Sequence, residues 1–445
     1  MRKSSASGAG VKPHPGDAAA GVARRARAAH RPVGAESRAP PEALLNAVSP
    51  LVASHVPAAL VSDFDIYAPA RPGEDFHAAW VRFQAATDAP LLWSPRYGGH
   101  WIAMRGEDIA AIFADHARFS SQRNVLPPLA RPAPLGALGL DPPEHGAFRA
   151  FLNDGLSPRV VRGLEPEVRR LATELVDEIA PRGGCDFIAD YADILPMAMF
   201  LRLVDLPLAD RVMLAGWAAE NTRNPDPEQR NAAARQIRAY LRPHLAARRA
   251  RPGADMLSRI VTAEPDGRPI TEAEALGAAT HLMIAGLDTV ASLLGFVMRF
   301  LAIYPEHRRA LRDDPALLPG AVKELIRRFP LVIQAREVRA DLDLHGTVLR
   351  RGDLVALPTM LHNLDPALYP DPLAVDWRRP VMSTCTFGAG IHRCPGAPLG
   401  QRELAITLET WLARIPDFAL DDQAPAPRVL GGIVATLDRL PLRWA

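Results

Sequence analysis

The chain has 445 residues, of which 48% are hydrophobic and 23% are charged, with 52 basic and 50 acidic side chains. That length is enough to bury a large core, in one large domain or in two ordinary ones. A net charge of +2 gives no support for nucleic acid or an anionic membrane as the main partner. The three cysteines, Cys185, Cys385 and Cys394, are too few for a disulfide framework and form no C-x-x-C pair for structural zinc. This cysteine usage predicts a cytoplasmic protein.

Residues 1–55 form a polar stretch rich in arginine, alanine and proline, which predicts a disordered N-terminal tail. The stretch has no apolar block long enough for a secretory signal. An organelle-targeting peptide is the alternative, but all basic residues of the chain except Lys3, Lys12 and Lys323 are arginine, so an arginine-rich start is weak support for it. No Gly-, Ser- or Pro-rich linker divides residues 56–445, which predicts a single domain there.

The rest of the chain predicts a mainly α fold with a minor β region. The predicted elements in chain order are strands at 91–93 and 100–104, helices at 105–114, 169–181 and 229–250, strands at 341–349 and 353–357, and a helix at 398–415. Proline ends the second of these helices, at Pro181. In the third helix, 229–250, we expect the arginines to lie on the outer face.

A longer helix is predicted from 272 to 304, ending before Pro305. Thr271 and Glu274 have the spacing of a capping box at its start. At about 1.5 Å per residue the helix would be roughly 50 Å long, enough to cross the whole domain. Its sequence is apolar on nearly every face, which predicts a central, buried position.

A membrane span is the alternative for this helix. It would place Asp288 at mid-span, at a cost of about 2.5–3.5 kcal/mol, and would also bury His281 and Arg299. No other segment of the chain resembles a membrane span, so the sequence favours a soluble protein.

The middle of this helix reads Ala285-Gly286-Leu287-Asp288-Thr289. Glycine costs up to about 1 kcal/mol relative to alanine inside a helix, and an acid beside a hydroxyl is unusual in a plain core. Thr289 can donate a hydrogen bond to the carbonyl of Ala285 and loosen the helix. The pattern fits either a kink with a satisfied polar pair or a proton-delivery site that faces a ligand.

A glycine-rich turn with one thiol lies at 387–396, before the last predicted helix. Gly388 and Gly390 lack the third glycine of a dinucleotide-binding loop, since Arg393 stands in its place. Backbone N–H groups of the turn and the start of the following helix favour a thiolate at Cys394. His392 is too near in sequence to serve securely as the base of a nucleophilic cysteine. An axial ligand of haem iron fits better, and a buried structural cysteine stays possible.

Glu324 and Arg327 form an i, i+3 pair on a further helix. Such pairs are common on surfaces, where they contribute about 0.3–0.5 kcal/mol, so this pair alone indicates little.

Taken in order, A-G-x-D-T, E-x-x-R and F-G-x-G-x-H-x-C-x-G resemble the motifs of the cytochrome P-450 family. Within that family the chain is most similar to the bacterial camphor-hydroxylase group, through strings such as SDFDIYAP, LDPPEHGAFRAF, KELIRRFPLV and WLARIPDF. The resemblance covers roughly residues 55 to 445. It implies the P-450 fold, with haem b between the long central helix and the cysteine loop, and a monooxygenase activity that uses O2.

The resemblance also implies roles for individual residues. Cys394 would be the thiolate ligand of the haem iron, and the haem propionates would be bound by His392, Arg149, Arg336 and His145. Asp288 and Thr289 would relay protons to dioxygen beside a groove at Gly286 and Ala285, and Arg223 would pair with the helix acid. Glu324, Arg327 and Arg379 would form a buried structural triad beneath the cysteine loop.

Departures from the group fall where the substrate binds. The segment 123–140 has no aromatic residue, whereas the camphor enzymes have a tyrosine and a phenylalanine there, so camphor is not expected as the substrate. His281 replaces an apolar residue and is either a core histidine or a hydrogen-bond donor to the substrate. The positions that match the apolar pocket lining are Ile284, Val332, Ile433 and Val434. They predict a compact hydrophobic substrate of terpenoid or norisoprenoid type.

Electrons would have to come from a separate protein, because the haem domain uses up the available length. By resemblance this partner is a 2Fe-2S ferredoxin with its reductase, docking over Cys394 near Arg149 and Arg402. Two other functions stay open: a peroxide-driven peroxygenase, and a non-catalytic haem sensor or carrier in which His281 reaches the iron.

Overall fold

The computed structural model describes residues 52–128, 136–381 and 383–445. Residues 1–51 of the predicted tail and residues 129–135 of the segment 123–140 lie outside the described residues. His55 was assigned to the tail, but its Nε2 lies 2.8 Å from the carboxylate of Asp353 and its ring packs against Trp93. The residue at the predicted boundary is therefore packed against the domain.

Most of the described chain is helical, in agreement with the predicted fold class. The helices are α1 (Phe76–Gln84), α2 (Gly106–Ala114), α3 (Glu144–Gly155), α4 (Pro158–Ile179), α5 (Leu195–Leu203), α6 (Arg211–Arg223), α7 (Pro227–Ala250), α8 (Met256–Val261), α9 (Glu272–Gly286), α10 (Thr289–Ile303), α11 (Pro305–Asp313), α12 (Leu318–Arg328), α13 (Thr359–Asn363) and α14 (Ala397–Arg414). The predicted segments 105–114, 229–250 and 398–415 match helices α2, α7 and α14 to within two residues at each end. The segment 169–181 matches the end of α4, which begins earlier than predicted, at Pro158.

Short strands form small sheets beside the helices. They are β1 (Leu91–Ser94), β2 (His100–Ala103), β3 (Phe119–Ser120), β4 (Gly184–Asp186), β5 (Ile333–Val338), β6 (Leu342–Leu344), β7 (Thr347–Leu349), β8 (Leu354–Pro358), β9 (Ala419–Leu420), β10 (Val429–Leu430), β11 (Thr436–Leu437) and β12 (Pro441–Arg443). The largest sheet has the order β1-β2-β8-β5-β3, in which only β2 and β8 are parallel. Two hairpins, β6–β7 and β10–β11, and a sheet of order β4-β12-β9 complete the β structure.

The long central helix is two helices rather than one. The predicted capping box is present, since Thr271 Oγ1 and the Glu274 carboxylate each accept a hydrogen bond from the other residue's backbone N–H. The helix is then interrupted between α9 and α10, where Asp288 has φ −136°. Thr289 Oγ1 donates to the carbonyl of Ala285 at 3.2 Å and competes with the helix's own hydrogen bonds. Helical structure therefore covers the predicted range 272 to 304 but is interrupted at its centre, where a kink was one of the two interpretations.

The pair α9–α10 lies in the interior of the domain. The span Glu272–Ile303 is long and apolar enough to cross a membrane, but 61% of its most apolar stretch is buried inside the protein. Helix α10 packs in a core with the sheets and α14, whereas α9 belongs to a second core with α3, α5, α6 and α7. The broken junction therefore lies where the two cores meet, as expected for a central helix of a compact protein.

Candidate active site

One cavity of about 320 Å³ lies between the α9–α10 junction, the β5 region and the turn before α14. Its wall is mainly apolar. The sequence-predicted residues in the wall are Arg149, His281, Ile284, Ala285, Gly286, Thr289, Val332, His392, Cys394, Ile433 and Val434. Residues distant in sequence therefore come together around one enclosed space.

The turn that carries Cys394 is held tightly against α2. The backbone N–H of Cys394 donates to the carbonyl of Phe387 at 2.8 Å and closes the turn. Gly390 has φ +66°, and a Cβ on it would lie 2.7 Å from Cα of Ala114. Only glycine fits this close backbone approach, which fixes the position of the cysteine relative to the cavity.

The surroundings of the Cys394 thiol act on its ionisation in opposite directions. Burial raises the pKa of this thiol, whereas the backbone N–H groups of Gly396 and Ala397 and the charge of Arg149 lower it. Burial is the largest of these effects. A stable thiolate at this position therefore needs one more positive charge next to the sulfur.

Three buried nitrogen atoms near the turn have no hydrogen-bond partner among the described residues. They are Nε2 of His145, Nε2 of His392 and Nη2 of Arg336. The two imidazole rings lie 4.3 Å apart, and Arg336 is only 1% exposed. Burial and the charge of Arg336 lower the pKa of His392 to about 2, so His392 is neutral. Unpaired buried donors of this kind indicate a missing ligand with acceptor oxygens.

Arg149 completes this group of nitrogen donors. It lies on α3, where its Nε donates to Asn153 Oδ1 at 2.8 Å and its Nη2 donates to the carbonyl of Arg393. Arg149 lines the cavity, and burial lowers the pKa of its guanidinium.

The α9–α10 junction carries an ion pair. The carboxylate of Asp288 pairs with Nη2 of Arg223 at the end of α6, and both side chains are largely buried. Ser292 Oγ donates to the Asp288 carbonyl at 3.0 Å, and the same carbonyl accepts the backbone N–H of Ser292. Gly286 packs against the ring of Phe200. A Cβ atom on residue 286 would lie 2.3 Å from a carbon of this ring. A larger residue at 286 would displace this aromatic side chain.

A second carboxyl near this ion pair was missed by sequence analysis. Burial and the charge of Asp288 raise the pKa of Asp193 to about 7, against the lowering influence of Arg223 and Arg211. Asp193 lies in the turn before α5, where no sequence pattern separates it from the other acids of the segment 186–193. The junction therefore contains two acids, and burial favours the protonated, uncharged form of Asp193.

Glu324, Arg327 and Arg379 form a buried cluster beneath the turn. The guanidinium of Arg327 makes two hydrogen bonds of 2.8 Å to the carboxylate of Glu324, and both residues are 0% exposed. Arg379 Nε donates to the same carboxylate at 3.1 Å. Glu324 and Arg327 are therefore not a surface pair, although their spacing alone permitted that interpretation.

Asn363 connects this cluster to the cysteine turn and was also missed. Arg327 Nη1 donates to the carbonyl of Asn363, and the Asn363 side chain donates to the carbonyl of Arg327 in return. Asn363 Oδ1 accepts from the N–H of Cys385 at 2.8 Å, and its Nδ2 donates to Thr386. Nothing in the sequence around 363 indicates this role, because Arg327, Cys385 and Thr386 are distant from Asn363 along the chain.

The predicted pocket-lining residues are positioned by β5 and by the loop that precedes β11. Val332 pairs with Val434 in an isolated bridge, and the N–H of Ile333 donates to the carbonyl of Ile433 at 2.9 Å. Ile284 and His281 reach the cavity from α9. Burial and the charge of Arg149 lower the pKa of His281 to about 4, so its imidazole is neutral and has one N–H to donate. Its contact with a substrate stays a prediction.

Glu403 is a further buried acid in the cavity wall. It lies on α14 with a side chain 1% exposed, and its Oε1 has no hydrogen-bond partner among the described residues. Burial raises the pKa of this carboxyl to about 8. The sequence could have indicated this buried position, because the helical spacing of Leu399, Glu403 and Thr407 places Glu403 on the buried face of the predicted helix.

Comparison with known proteins decides the family. A family model described as cytochrome P450 matches residues 227–425. A protein of Sinorhizobium fredii named probable cytochrome P450 127A1 is 37% identical over 405 residues, which are 88% of this chain and 97% of that protein. This chain belongs to the cytochrome P450 family.

Solved structures agree with this assignment. The crystal structure of CYP101J2 matches with a TM-score of 0.82 and 39% identity, covering 88% of this chain and 99% of the other. That of the cytochrome P450 CYP101C1 matches with a TM-score of 0.80 and 41% identity, covering 89% and 100%. PikC of Streptomyces venezuelae, a cytochrome P450 monooxygenase, is 32% identical over 84% of this chain and 92% of its own. The protein is a cytochrome P450 monooxygenase with haem b as its cofactor, and the predicted P450 fold is confirmed.

The residues present fit haem b. The unpaired nitrogens of His145, His392 and Arg336 are the donors that two propionates require, and Arg149 adds a cation near them. Cys394 would bind the iron through its thiolate. When bound, haem with a thiolate ligand activates dioxygen for insertion into a C–H bond.

Proposed function

We propose that this P450 inserts one atom of O2 into an unactivated C–H bond of a compact hydrophobic substrate of terpenoid or norisoprenoid type. One C–H bond is exchanged for C–OH, and the second oxygen atom leaves as water after uptake of two electrons and two protons. The observation that supports this proposal most is that Cys394 and Thr289 line the same cavity, whose remaining wall is mainly apolar. Such a wall orients a hydrophobic molecule by shape and excludes bulk water.

Proton delivery is assigned to the α9–α10 junction. The Asp288 carboxylate, released from Arg223, would carry a proton from the outer side of the helix to the hydroxyl of Thr289. Oγ1 of Thr289 would accept a hydrogen bond from the group that delivers the proton, while its own hydroxyl hydrogen stays bonded to the Ala285 carbonyl.

Electrons are assigned to a separate 2Fe-2S ferredoxin and its reductase, with the complex formed in the cytoplasm. Docking of this partner over Cys394, near Arg149 and Arg402, stays a prediction. Arg402 is paired with Glu165, and Arg149 donates to the carbonyl of Arg393. Arg393, an exposed residue next to the cysteine, is a further candidate on this surface.

Reconstitution with a heterologous 2Fe-2S ferredoxin and its reductase tests the activity. With NADH, 18O2 and a panel of monoterpenoids and norisoprenoids, we expect a product that contains one 18O atom and that requires the ferredoxin. Before this experiment, the compounds of the panel that convert the ferric haem to the high-spin form are selected as the best candidate substrates.

Two other outcomes of this experiment would contradict the proposal. Faster turnover with hydrogen peroxide than with the ferredoxin system would indicate a peroxygenase. A ferric spectrum that stays six-coordinate and nitrogen-ligated with every compound would indicate a non-catalytic carrier or sensor, with His281 as the ligand.

A further inference from the structure

Arg230 is a buried cation in the outer part of the cavity. It belongs to α7, whose arginines were predicted to lie on the outer face. This prediction is wrong for Arg230, which is 3% exposed and lines the cavity. Its Nε donates to the carbonyl of Asn221 at 2.9 Å, and its Nη1 donates to the carbonyl of Leu126 at 3.1 Å. Its Nη2 makes no hydrogen bond to a described residue. The guanidinium therefore has donors left for a further acceptor.

No carboxylate of a described residue forms an ion pair with Arg230. Among the described residues, Tyr67 is the one ionisable group that acts noticeably on Arg230, and burial lowers the pKa of the guanidinium. The acid that acts on Tyr67 is Asp65, which is engaged with the hydroxyl of Tyr97 and with Arg96. The sequence 123–140, which includes the undescribed residues 129–135, contains no acidic residue. A buried arginine without an anion is costly, so an external anion that supplies the missing charge gains a large advantage.

The cavity wall around Arg230 is also cationic and polar. Arg238 lies two helical turns further on the same face of α7, lines the cavity, and has no ion-pair partner among the described residues. Asn124, Asn221 and Asn231 add amide groups to this part of the wall. Glu403 is the one acid in the described lining, and it is on α14, beside the thiolate turn. The described cavity wall is therefore mainly apolar, with one cationic region on α6 and α7 in addition to Arg149 and His392 near the cysteine turn.

We propose that the substrate carries a carboxylate that binds Arg230, while its apolar body fills the part of the cavity lined by Ile284, Val332 and Thr289. The substrate class then narrows from neutral hydrophobes to small apolar acids, such as terpenoid acids. The proposal rests on the monooxygenase function proposed above. It assigns the polar end of the substrate to α7, and it leaves the reacting carbon at the apolar end.

A matched pair of ligands tests this assignment. Perillic acid and its methyl ester share an apolar body and differ in charge at pH 7. We expect the acid to bind the purified haem protein about tenfold or more tightly than the ester, because a charge-assisted hydrogen bond to a buried guanidinium is strong. The shift of the ferric haem to high spin gives both dissociation constants.

Variants of Arg230 separate recognition from a structural role. In Arg230→Met we expect the acid to lose its advantage while the ester binds within about threefold of its native affinity; Arg230→Lys should retain part of the preference. Equal weakening of acid and ester would mean that Arg230 only ties α6 and α7 to the segment at Leu126, and would overturn the proposal. Equal binding of the two ligands by the native protein would also overturn it. Failure of the proposed function is distinguishable, because it would remove ferredoxin-dependent turnover with every substrate.

Discussion

Replacement of Arg327 by methionine is expected to lower the free energy of unfolding by about 3–5 kcal/mol, because it leaves the Glu324 carboxylate buried with too little positive charge. Methionine fills the volume but cannot make the paired hydrogen bonds to Glu324 or those to the carbonyls of Asn363, Pro372 and Ala374. Urea unfolding of the haem-loaded protein measures this loss. We also expect less haem per purified chain, since Asn363 transmits the cluster's position to Cys385 and Thr386.

Arg309→Met is the matched control for this substitution. Arg309 is exposed on α11 and forms no ion pair among the described residues, so its loss is expected to change the stability by no more than about 0.5 kcal/mol. If Arg327→Met were as stable as this control and retained full haem, the cluster would not support the cysteine turn.

Asp288→Asn is expected to reduce product formation by at least about 10²-fold, because an amide cannot pass on the proton that the carboxyl carries. The substrate dissociation constant should hardly change, since Asp288 is on the Arg223 side of the junction and does not line the cavity. The measurement is the rate of ferredoxin-supported product formation, with its solvent deuterium isotope effect, which should increase in the variant.

Two further variants separate proton transfer from packing at the junction. Asp288→Glu keeps a carboxyl and should retain more activity than Asp288→Asn. Ser292→Ala removes the hydroxyl that donates to the Asp288 carbonyl and should stay within about threefold of the native rate. An Asp288→Asn protein with native rate and native isotope effect would contradict the assignment.

Local patterns were sufficient for much of the fold. The capping box at Thr271 and the strand at 353–357 are determined by residues close together in the sequence, so the sequence predicts them well. The hydrogen bond from Thr289 to Ala285 was predictable in the same way. Whether it loosens or interrupts the helix depends on Asp288 and its pairing with Arg223, which is 65 residues away in the sequence and brought there by the fold.

The remaining features depend on tertiary contacts. The arginines of 229–250 occur on several faces, and the spacing does not tell which face packs inward, so Arg230 was predicted on the wrong side. Asn363 and Asp193 gain their roles only from groups that the fold brings next to them. The cavity residues were predictable through resemblance, because their motifs have fixed spacing, whereas the cationic region on α7 became visible only in three dimensions.

The central claim is that Cys394 binds haem iron as a thiolate, and the absorption spectrum of the reduced protein with carbon monoxide tests it most directly. We predict the red-shifted Soret band of a thiolate-ligated haem in the native protein and in Cys185→Ser, and its absence from Cys394→Ser. A folded native protein with the unshifted band of a nitrogen ligand, or a Cys394→Ser protein that keeps the red-shifted band, would contradict the claim.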